Sequence, residues 1–286
     1  MSVELRWNQY GKSRVRLARV SRHGDRHDFR DLTVGVHFQG DFAAAHTQGD
    51  NTGVLPTDTM KNTVYALAAD REPGEIEEFG LRLEAHFLKS NPQVSRVRID
   101  LVEHPWTRVA VGAGAHPHAF LKTGPECRTA TVTGTREGVI VEAGIGDLTI
   151  LKTTRSSFAG FHKDAYTTLP ETEDRILGTV VQASWIYATA EVAFGPCRQA
   201  VRRTLIETFA GHDSRSVQQT AYAMGQAVLE SHEQIEEIRL SLPNRHCLPV
   251  DLRPFGLENR NEVFMPVEEP HGLIEVKLGR RAGGSG

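Results

Sequence analysis

A polar, threonine-rich segment past the middle of the chain, residues 151–177, contains the side chains best suited to hold a flat anion. Phe158 offers a ring face that could stack on a planar ligand, and Arg175 offers a planar fork of hydrogen-bond donors. Ordered connections of this length without regular structure are uncommon in compact domains and are often binding loops. A solvated link between two domains, with Phe158 buried in a core, explains the same pattern and stays open.

A second candidate site is a pair of histidines. His116 and His118 have the i, i+2 spacing that places two imidazoles on one face of a strand, as metal ligands often are. A metal site would need a third ligand, for which the sequence offers His104, Glu103 and Cys127 as candidates. Most isolated pairs of this kind bind nothing, so a structural role remains the alternative.

The remaining candidates lie at the ends of predicted elements, where polar residues are common in any case. A lysine at the head of a strand is usually a solvated charge, and a Thr-Asp pair before a helix usually caps it. Polar residues after a strand usually form a turn. The candidates are Lys12, Thr57, Asp58, Val217, Gln218, Asn244 and His246. For each of them the residues alone leave the structural explanation open.

The composition is ordinary for a soluble globular protein, and 286 residues are enough for two domains. With 33 basic and 36 acidic residues, the net charge of -3 gives no reason to expect nucleic acid or a membrane surface as a partner. Three widely spaced cysteines favour a reducing compartment over a disulfide framework. The sequence shows no secretory leader, membrane span or peroxisomal Ser-Lys-Leu ending, so the cytoplasm is the default expectation.

The first half of the chain predicts antiparallel β-structure. Apolar and polar residues alternate at 32–38, which indicates a half-buried strand, and a shorter partner strand begins at Val15. Thr57 or Asp58 is placed to cap a helix. Glycines and a proline within 111–120 favour a loop or an irregular edge there.

The two halves of the chain repeat one pattern, in which an amphipathic helix is followed by an alternating strand. In the first half the helix covers 75–87 and the strand 94–102. In the second half the corresponding segments are 216–229 and 235–242. The repeat predicts an α+β fold, with helices packed on one face of antiparallel sheets.

We therefore predict two domains, residues 1–150 and residues 151–286, with the segment 151–177 as a connector that carries site residues. Antiparallel sheets leave edges that must be covered or paired. An oligomer that joins sheets edge to edge is one solution, which the pattern alone does not establish.

Eight short motifs, taken together and in this order, resemble the urate oxidase (uricase) family over essentially the whole chain. The motifs are Tyr10-Gly11-Lys12, TDTMKNTVYALA (57–68), HPWTR (104–108), HPHAF (116–120), LKTTRSSFAGF (151–161), D-x-YTTL-x-ET-x-DRIL (164–177), SVQ-x-T-x-Y (216–222) and SLPNRH (241–246). A chance match to one such motif would mean little, whereas the ordered series is specific.

The resemblance implies a fold and an assembly. Each chain is expected to contain two tandem tunnelling-fold (T-fold) domains, and four chains are expected to join their sheets into a β-barrel tunnel. Active sites are expected at the subunit interfaces of this homotetramer, which would also pair the open sheet edges.

The resemblance also implies residues that bind the purine. Phe158 is expected to stack on the flat ring. Arg175 and Gln218 are expected to clamp one purine edge from its two ends, with the backbone amide of Val217 as a further donor. Charge-assisted bidentate bonds from an arginine would fix both the charge and the orientation of a urate anion.

The opposite purine edge is expected to meet Thr57 and Asp58 of a neighbouring subunit. Asn244, with Thr57, is expected to hold dioxygen and later water over the ring. Lys12, Thr57 and His246 are the expected catalytic residues, which form a proton relay. A threonine hydroxyl is a poor base alone, so a neighbouring amine must draw its proton away.

The implied reaction converts urate, O2 and water to 5-hydroxyisourate and hydrogen peroxide, with no metal and no other cofactor. His116 and His118 are then structural. For a member of this family, the missing peroxisomal ending implies a cytoplasmic enzyme of bacterial type. Two alternatives remain: another T-fold enzyme acting on purines or pterins, in which the histidine pair would bind metal, and a purine-binding homologue without activity.

Overall fold

The structure is a computed structural model that describes residues 3–281. The chain ending that was searched for a targeting signal, residues 282–286, lies outside the described residues. The backbone divides into two compact units, which we call unit 1 (Met1–Gly144 and Ile186–Gly195) and unit 2 (Ile145–Trp185 and Pro196–Gly286). The assignment of two complete domains that meet at residue 150 stays a prediction.

Unit 1 contains an antiparallel sheet in the order β1-β2-β3-β6 and a separate two-stranded sheet, β4-β5. Its elements are β1 (Tyr10–His23), β2 (Arg26–Gly40), α1 (Ala43–Thr47), α2 (Thr57–Asp70), α3 (Ile76–Ser90), β3 (Val94–Glu103), β4 (Trp106–Val111), β5 (Gly114–Lys122), β6 (Cys127–Thr135) and the first part of β7 (Gly138–Lys152). Helix α3 packs on β3 and β6, and α2 packs on β1.

The core of unit 1 follows from the two periodicities in the sequence. Alternate residues of β2 point to one face and are buried, as predicted for 32–38, and Phe38 is fully buried there. The apolar stripe of α3 faces them, so that the rings of Phe38 and Phe87 meet edge to face with their centres 5.1 Å apart. A capping box of Glu75 and Glu78 begins α3.

Two local predictions for unit 1 need correction. The segment 111–120 is not a loop but the irregular edge given as the alternative, because β4 and β5 pair as a hairpin with a register shift, across a turn in which Gly112 has a φ of 58°. Pro117 has no N–H to donate. It is tolerated in β5 because this strand pairs with one neighbour only, and its free side needs no backbone donor. Neither Thr57 nor Asp58 caps α2, since Pro56 occupies the N-cap position and its carbonyl accepts from the amide of Met60 at 3.2 Å.

Unit 2 repeats the arrangement with the sheet order β8-β9-β10 and α5 packed on β9 and β10. Its elements are the second part of β7, β8 (Leu177–Tyr187), α4 (Phe194–Gly211), α5 (Val217–Ser231), β9 (Ile235–Pro249), a short 3-10 helix (Arg253–Phe255) and β10 (Phe264–Gly279). The last residues of β8 and the first residues of α4 belong to unit 1. The predicted repeat of helix and strand, α3 before β3 and α5 before β9, is confirmed.

The strand β9 differs from its prediction at its end. Asn244 and His246 do not form a turn, because β9 continues to Pro249 and both residues pair with β10. Among residues 3–281, no helix is long and apolar enough to cross a membrane. The predicted α+β class with antiparallel sheets is confirmed.

Candidate active site

The connector between β7 and β8 brings Phe158 and Arg175 together. Phe158 and Thr172 exchange backbone hydrogen bonds of 2.8 and 3.0 Å, and the amide of Arg175 donates to the carbonyl of Ser156 at 2.8 Å. This short antiparallel ladder places the guanidinium carbon of Arg175 5.2 Å from the centre of the Phe158 ring. Phe161 stacks on the same ring, with centres 4.8 Å apart and planes 13° apart. The connector is therefore an ordered platform that carries a ring and a cation.

The beginning of α5 is tied to this platform by its backbone. The amide of Ser157 donates to the carbonyl of Ser214 at 2.8 Å, and the amide of Ser214 donates to Arg155 at 3.0 Å. Ser216 then caps α5, its hydroxyl accepting from the amide of Gln219 at 3.1 Å. The first turn of a helix has amide groups without intrahelical partners, and its end of the helix dipole favours an anion.

Val217 and Gln218 are the first two residues of α5 and occupy that turn. The Val217 side chain is buried in the core, which leaves its backbone amide as the polar group available to a ligand. The Gln218 side chain is exposed, and within the described range 3–281 its amide has no hydrogen-bond partner. Four of the predicted substrate-binding residues thus lie on one hydrogen-bonded frame in unit 2.

Arg175 is a cation without a counter-ion within residues 3–281. Its side chain is half-buried, its Nε atom is buried without a hydrogen-bond partner, and burial lowers the pKa of the guanidinium. A buried charge is costly unless it is paired. The guanidinium therefore favours an anion that lies against the Phe158 ring.

In unit 1, Tyr10 positions the segments that carry Lys12 and Thr57. The Tyr10 ring meets Phe42 edge to face at 4.7 Å, and its hydroxyl accepts a hydrogen bond from the amide of Leu55 at 3.0 Å. Burial raises the pKa of this hydroxyl, which keeps it in the neutral form. One tyrosine thus ties the start of β1 to the residues just before α2.

The backbone around Lys12 has two unusual features. A side chain at Gly11 would bring its Cβ to 2.0 Å from the carbonyl oxygen of Val36, so only glycine fits there. Directly after Lys12 the register of β1 and β2 shifts, and Arg14 has a φ of 58°. Such bulges redirect a side chain and are common next to active sites.

Thr57 and Asp58 form the first turn of α2, which packs on β1. The Asp58 carboxylate pairs with Lys61 and accepts from the Asn62 side chain at 3.0 Å. The hydrogen bond from Lys61 is the main cause that lowers the pKa of Asp58, and the charge of Lys12 adds to it. Over residues 3–281 the Thr57 hydroxyl has no hydrogen-bond partner. Lys12 and Thr57 thus lie in adjacent elements of unit 1 and both have free polar groups.

Asn244 and His246 project from the same face of β9 because they are two residues apart in a strand. The Asn244 side chain is buried, and the pairing of β9 with β10 is interrupted between these two positions. In the described part of the chain, no hydrogen bond, ion pair or ring contact joins either residue to Phe158 or Arg175. Asn244 and His246 thus lie on one face of β9, and Arg245 between them packs beside Gly178, three residues after Arg175.

The motifs HPWTR and HPHAF have structural contacts. Trp106 donates to Asp31 at 3.0 Å, and Arg108 donates to Asp28 and to the carbonyl of Pro117, so that β4 and β5 are held against β2. His116 accepts from the amide of His118 at 3.3 Å. Within residues 3–281, no group of three or more His, Cys, Asp and Glu side chains is arranged to hold a metal ion.

Comparison with known proteins decides the family. A family model described as Uricase matches residues 8–133 and 141–275. The chain belongs to the uricase family. The uricase of Arthrobacter globiformis is 48% identical over 280 residues, which cover 97% of this chain and 90% of that protein. The uricase of Dictyostelium discoideum is 40% identical over 276 residues, which cover 96% of each chain.

The fold agrees with that of a solved uricase. The crystal structure of the uricase from Arthrobacter globiformis matches with a TM-score of 0.94 and 46% sequence identity, covering 100% of this chain and 99% of that one. The predicted T-fold class is therefore confirmed. In this fold the candidate residues lie at the start of β1, at the start of α2, in the connector, at the start of α5 and on β9.

Several residues that shape this candidate site have no predicted role. Tyr10, Ser156 and Asp174 are part of the quoted motifs, yet nothing in their type marked them as organisers. The sequence does contain one signal for Asp174. It directly precedes the candidate Arg175, and Thr154 and Ser156 lie in the preceding motif. Side chains of these types often form local hydrogen bonds to the backbone.

Proposed function

We propose that this member of the uricase family oxidises urate with dioxygen and water to 5-hydroxyisourate and hydrogen peroxide. The observation that carries the proposal is the unpaired, half-buried guanidinium of Arg175 lying 5.2 Å from the centre of the Phe158 ring. A urate anion is complementary to this arrangement, because its flat ring can stack on Phe158 and its negative charge can pair with the guanidinium.

The platform supplies binding. Phe158 stacks on the purine ring, while Arg175 and Gln218 hold one edge from its two ends and the Val217 amide donates to the same edge. When urate binds, the half-buried guanidinium gains charge-assisted hydrogen bonds that it lacks in the free protein. This gain favours binding of the anion over a neutral purine. Thr57 and Asp58 contact the opposite edge. Because Lys61 neutralises the Asp58 carboxylate, that edge adds little repulsion of an anion.

The chemistry begins with removal of a proton. Thr57 takes it through its free hydroxyl as Lys12 draws the hydroxyl proton away. The resulting urate anion transfers two electrons to dioxygen, which Asn244 and Thr57 hold over the ring, and the two protons of hydrogen peroxide come from urate and water. The water oxygen then forms the new bond to the oxidised ring, and His246 passes protons during this step. Atoms and electrons balance without another oxidant.

No cofactor enters this scheme, because urate itself supplies both electrons and O2 is the co-substrate. The protein contributes position, charge and proton transfer. The proposed partners are therefore urate, dioxygen and other copies of the chain. We place the active site at an interface of a homotetramer with a β-barrel tunnel, where Lys12, Thr57 and Asp58 of one subunit meet the platform of another.

The choice of substrate is tested by supplying urate, GTP and a dihydropterin to the purified protein and following loss of each one together with oxygen uptake. We expect loss of urate alone, with oxygen consumed in equal amount. Turnover of GTP or the pterin instead would support a different T-fold enzyme. Binding of urate without oxygen uptake would support a purine-binding homologue without activity.

Replacing Phe158 by alanine is expected to raise KM for urate by about fivefold to tenfold, because a stacked aromatic pair contributes about 0.5–1.5 kcal/mol beyond its buried area. Phe158→Tyr keeps the ring and serves as the matched variant. Steady-state kinetics of the two variants would contradict the stacking role if alanine and tyrosine gave the same KM as the original residue.

A further inference from the structure

Asp174 lies directly before Arg175, yet its carboxylate does not pair with that arginine. It accepts a hydrogen bond from the Thr154 hydroxyl at 2.7 Å and another from the amide of Ser156 at 3.3 Å. Bonds from Thr154 and from the amides of Ser156, Arg155 and Arg175 lower the pKa of this carboxyl. The carboxylate thus collects the backbone donors of the segment that runs beside Arg175.

The segment that Asp174 binds has an unfavourable backbone. Arg155 has a φ of 60°, in the left-handed region that residues other than glycine rarely occupy. Its carbonyl accepts from the amide of Ser214, and its side chain pairs with Asp213. Strained backbone of this kind persists only where its surroundings fix it, and it is often found at functional sites. Here the surroundings are two carboxylates, Asp174 and Asp213.

Ser156 is the point where the parts of the platform meet. Its carbonyl accepts from the amide of Arg175 at 2.8 Å, and the residue forms a parallel bridge with Ser214, just before α5. Its amide is the group that Asp174 binds. A shift of this residue would move Arg175 and the start of α5 relative to each other.

We propose that Asp174 is a positioning residue that holds the Thr154–Ser156 turn and thereby sets Arg175 on the Phe158 ring at the distance needed to clamp an anionic purine. The inference rests on the proposed function. The Asp174 carboxylate accepts from Thr154 and Ser156 and makes no ion pair with the guanidinium, which leaves Arg175 free for the substrate.

The test compares three substitutions. Asp174→Asn removes the charge and one acceptor, Thr154→Val removes the hydroxyl donor, and Thr154→Ser keeps it. The matched control is Asp164→Asn, because Asp164 lies in the same connector and accepts similar bonds, 2.7 Å from the Thr167 hydroxyl and 3.0 Å from the Tyr166 amide, without contacting Arg175.

Urate affinity is measured without oxygen, since the reaction then stops at binding, and kcat is measured in air. We expect Asp174→Asn and Thr154→Val to weaken urate binding by about tenfold while kcat falls by less than about threefold, as for the loss of an interaction equal in ground and transition states. Thr154→Ser and Asp164→Asn should bind urate like the original protein.

Three results would overturn the inference. Unchanged urate affinity in Asp174→Asn would show that the turn does not position Arg175. Equal loss of affinity in Asp164→Asn, or equal loss of kcat and affinity with a lower melting temperature, would show a general effect on the connector. Absence of urate oxidation by the original protein is a different outcome, because it contradicts the proposed function before any variant is compared.

Discussion

Replacing Arg175 by alanine is expected to weaken urate binding by about 100-fold or more. Each hydrogen bond to a charged group contributes about 1.5–3 kcal/mol, and two such bonds from one guanidinium exceed the roughly 2.8 kcal/mol that corresponds to 100-fold. The structure adds a second reason. Within residues 3–281 the guanidinium is half-buried and unpaired, so no carboxylate competes with urate for it.

Affinity without oxygen and kcat/KM in air measure this effect. Arg175→Lys keeps the charge but not the planar fork, and it should recover only part of the lost affinity. Arg253→Ala is the control, because Arg253 is exposed and pairs with Asp251 at 2.8 Å in the 3-10 helix. A urate affinity for Arg175→Ala within threefold of the original would contradict the clamp.

Lys12→Met and Thr57→Ala are expected to lower kcat by about 100-fold, a larger effect than their effect on the affinity for urate. General acid–base catalysis by a positioned group contributes about 100-fold to 10,000-fold to rate. Lys12 and Thr57 both have free polar groups in adjacent elements of unit 1, which suits proton transfer better than tight binding. A larger loss of kcat than of affinity distinguishes the relay from the clamp, which is expected to lose affinity.

The control for the relay is Lys89→Met, which removes an exposed lysine from the last turn of α3. We expect its kinetics to match those of the original protein. Unchanged kcat in Lys12→Met would remove Lys12 from the relay. A loss of urate affinity as large as that of Arg175→Ala would instead make Lys12 a binding residue.

Lys12→Met and Arg175→Ala, mixed together, test whether two subunits share one active site. Lys12→Met damages a residue of unit 1 and Arg175→Ala damages one of unit 2. If the proposed site joins unit 1 of one chain to unit 2 of its neighbour, random mixing of the variants should restore about a quarter of the sites in a symmetric oligomer. If one chain supplied the whole site, mixing would restore nothing.

Much of the fold could be predicted because its signals are local. The alternation at 32–38 and the helical stripe of α3 each bury one face, so periodicity alone indicated both elements and their order. The hairpin of β4 and β5 was missed because its glycines and Pro117 are usual in loops and are tolerated only where a strand has a free edge. The predicted cap at Thr57 was wrong because Pro56 occupies the N-cap position and Thr57 is already the first residue of the helix.

The candidate site was harder to predict, since its residues come from segments far apart in sequence. Residue type suggested Phe158 and Arg175, but their contact depends on the ladder with Thr172 and Ser156, which has no periodicity to detect. The resemblance to uricases supplied the set of residues. It did not indicate Asp174, whose part becomes visible only through the bonds that it accepts.

Oxygen uptake with urate, measured together with peroxide release on protein treated with a strong chelator, is the decisive experiment. We predict that chelated protein consumes oxygen and releases peroxide in equal amounts, at the same rate as untreated protein. Activity that disappears on chelation and returns with added metal would contradict a reaction driven by Lys12, Thr57 and the urate anion alone.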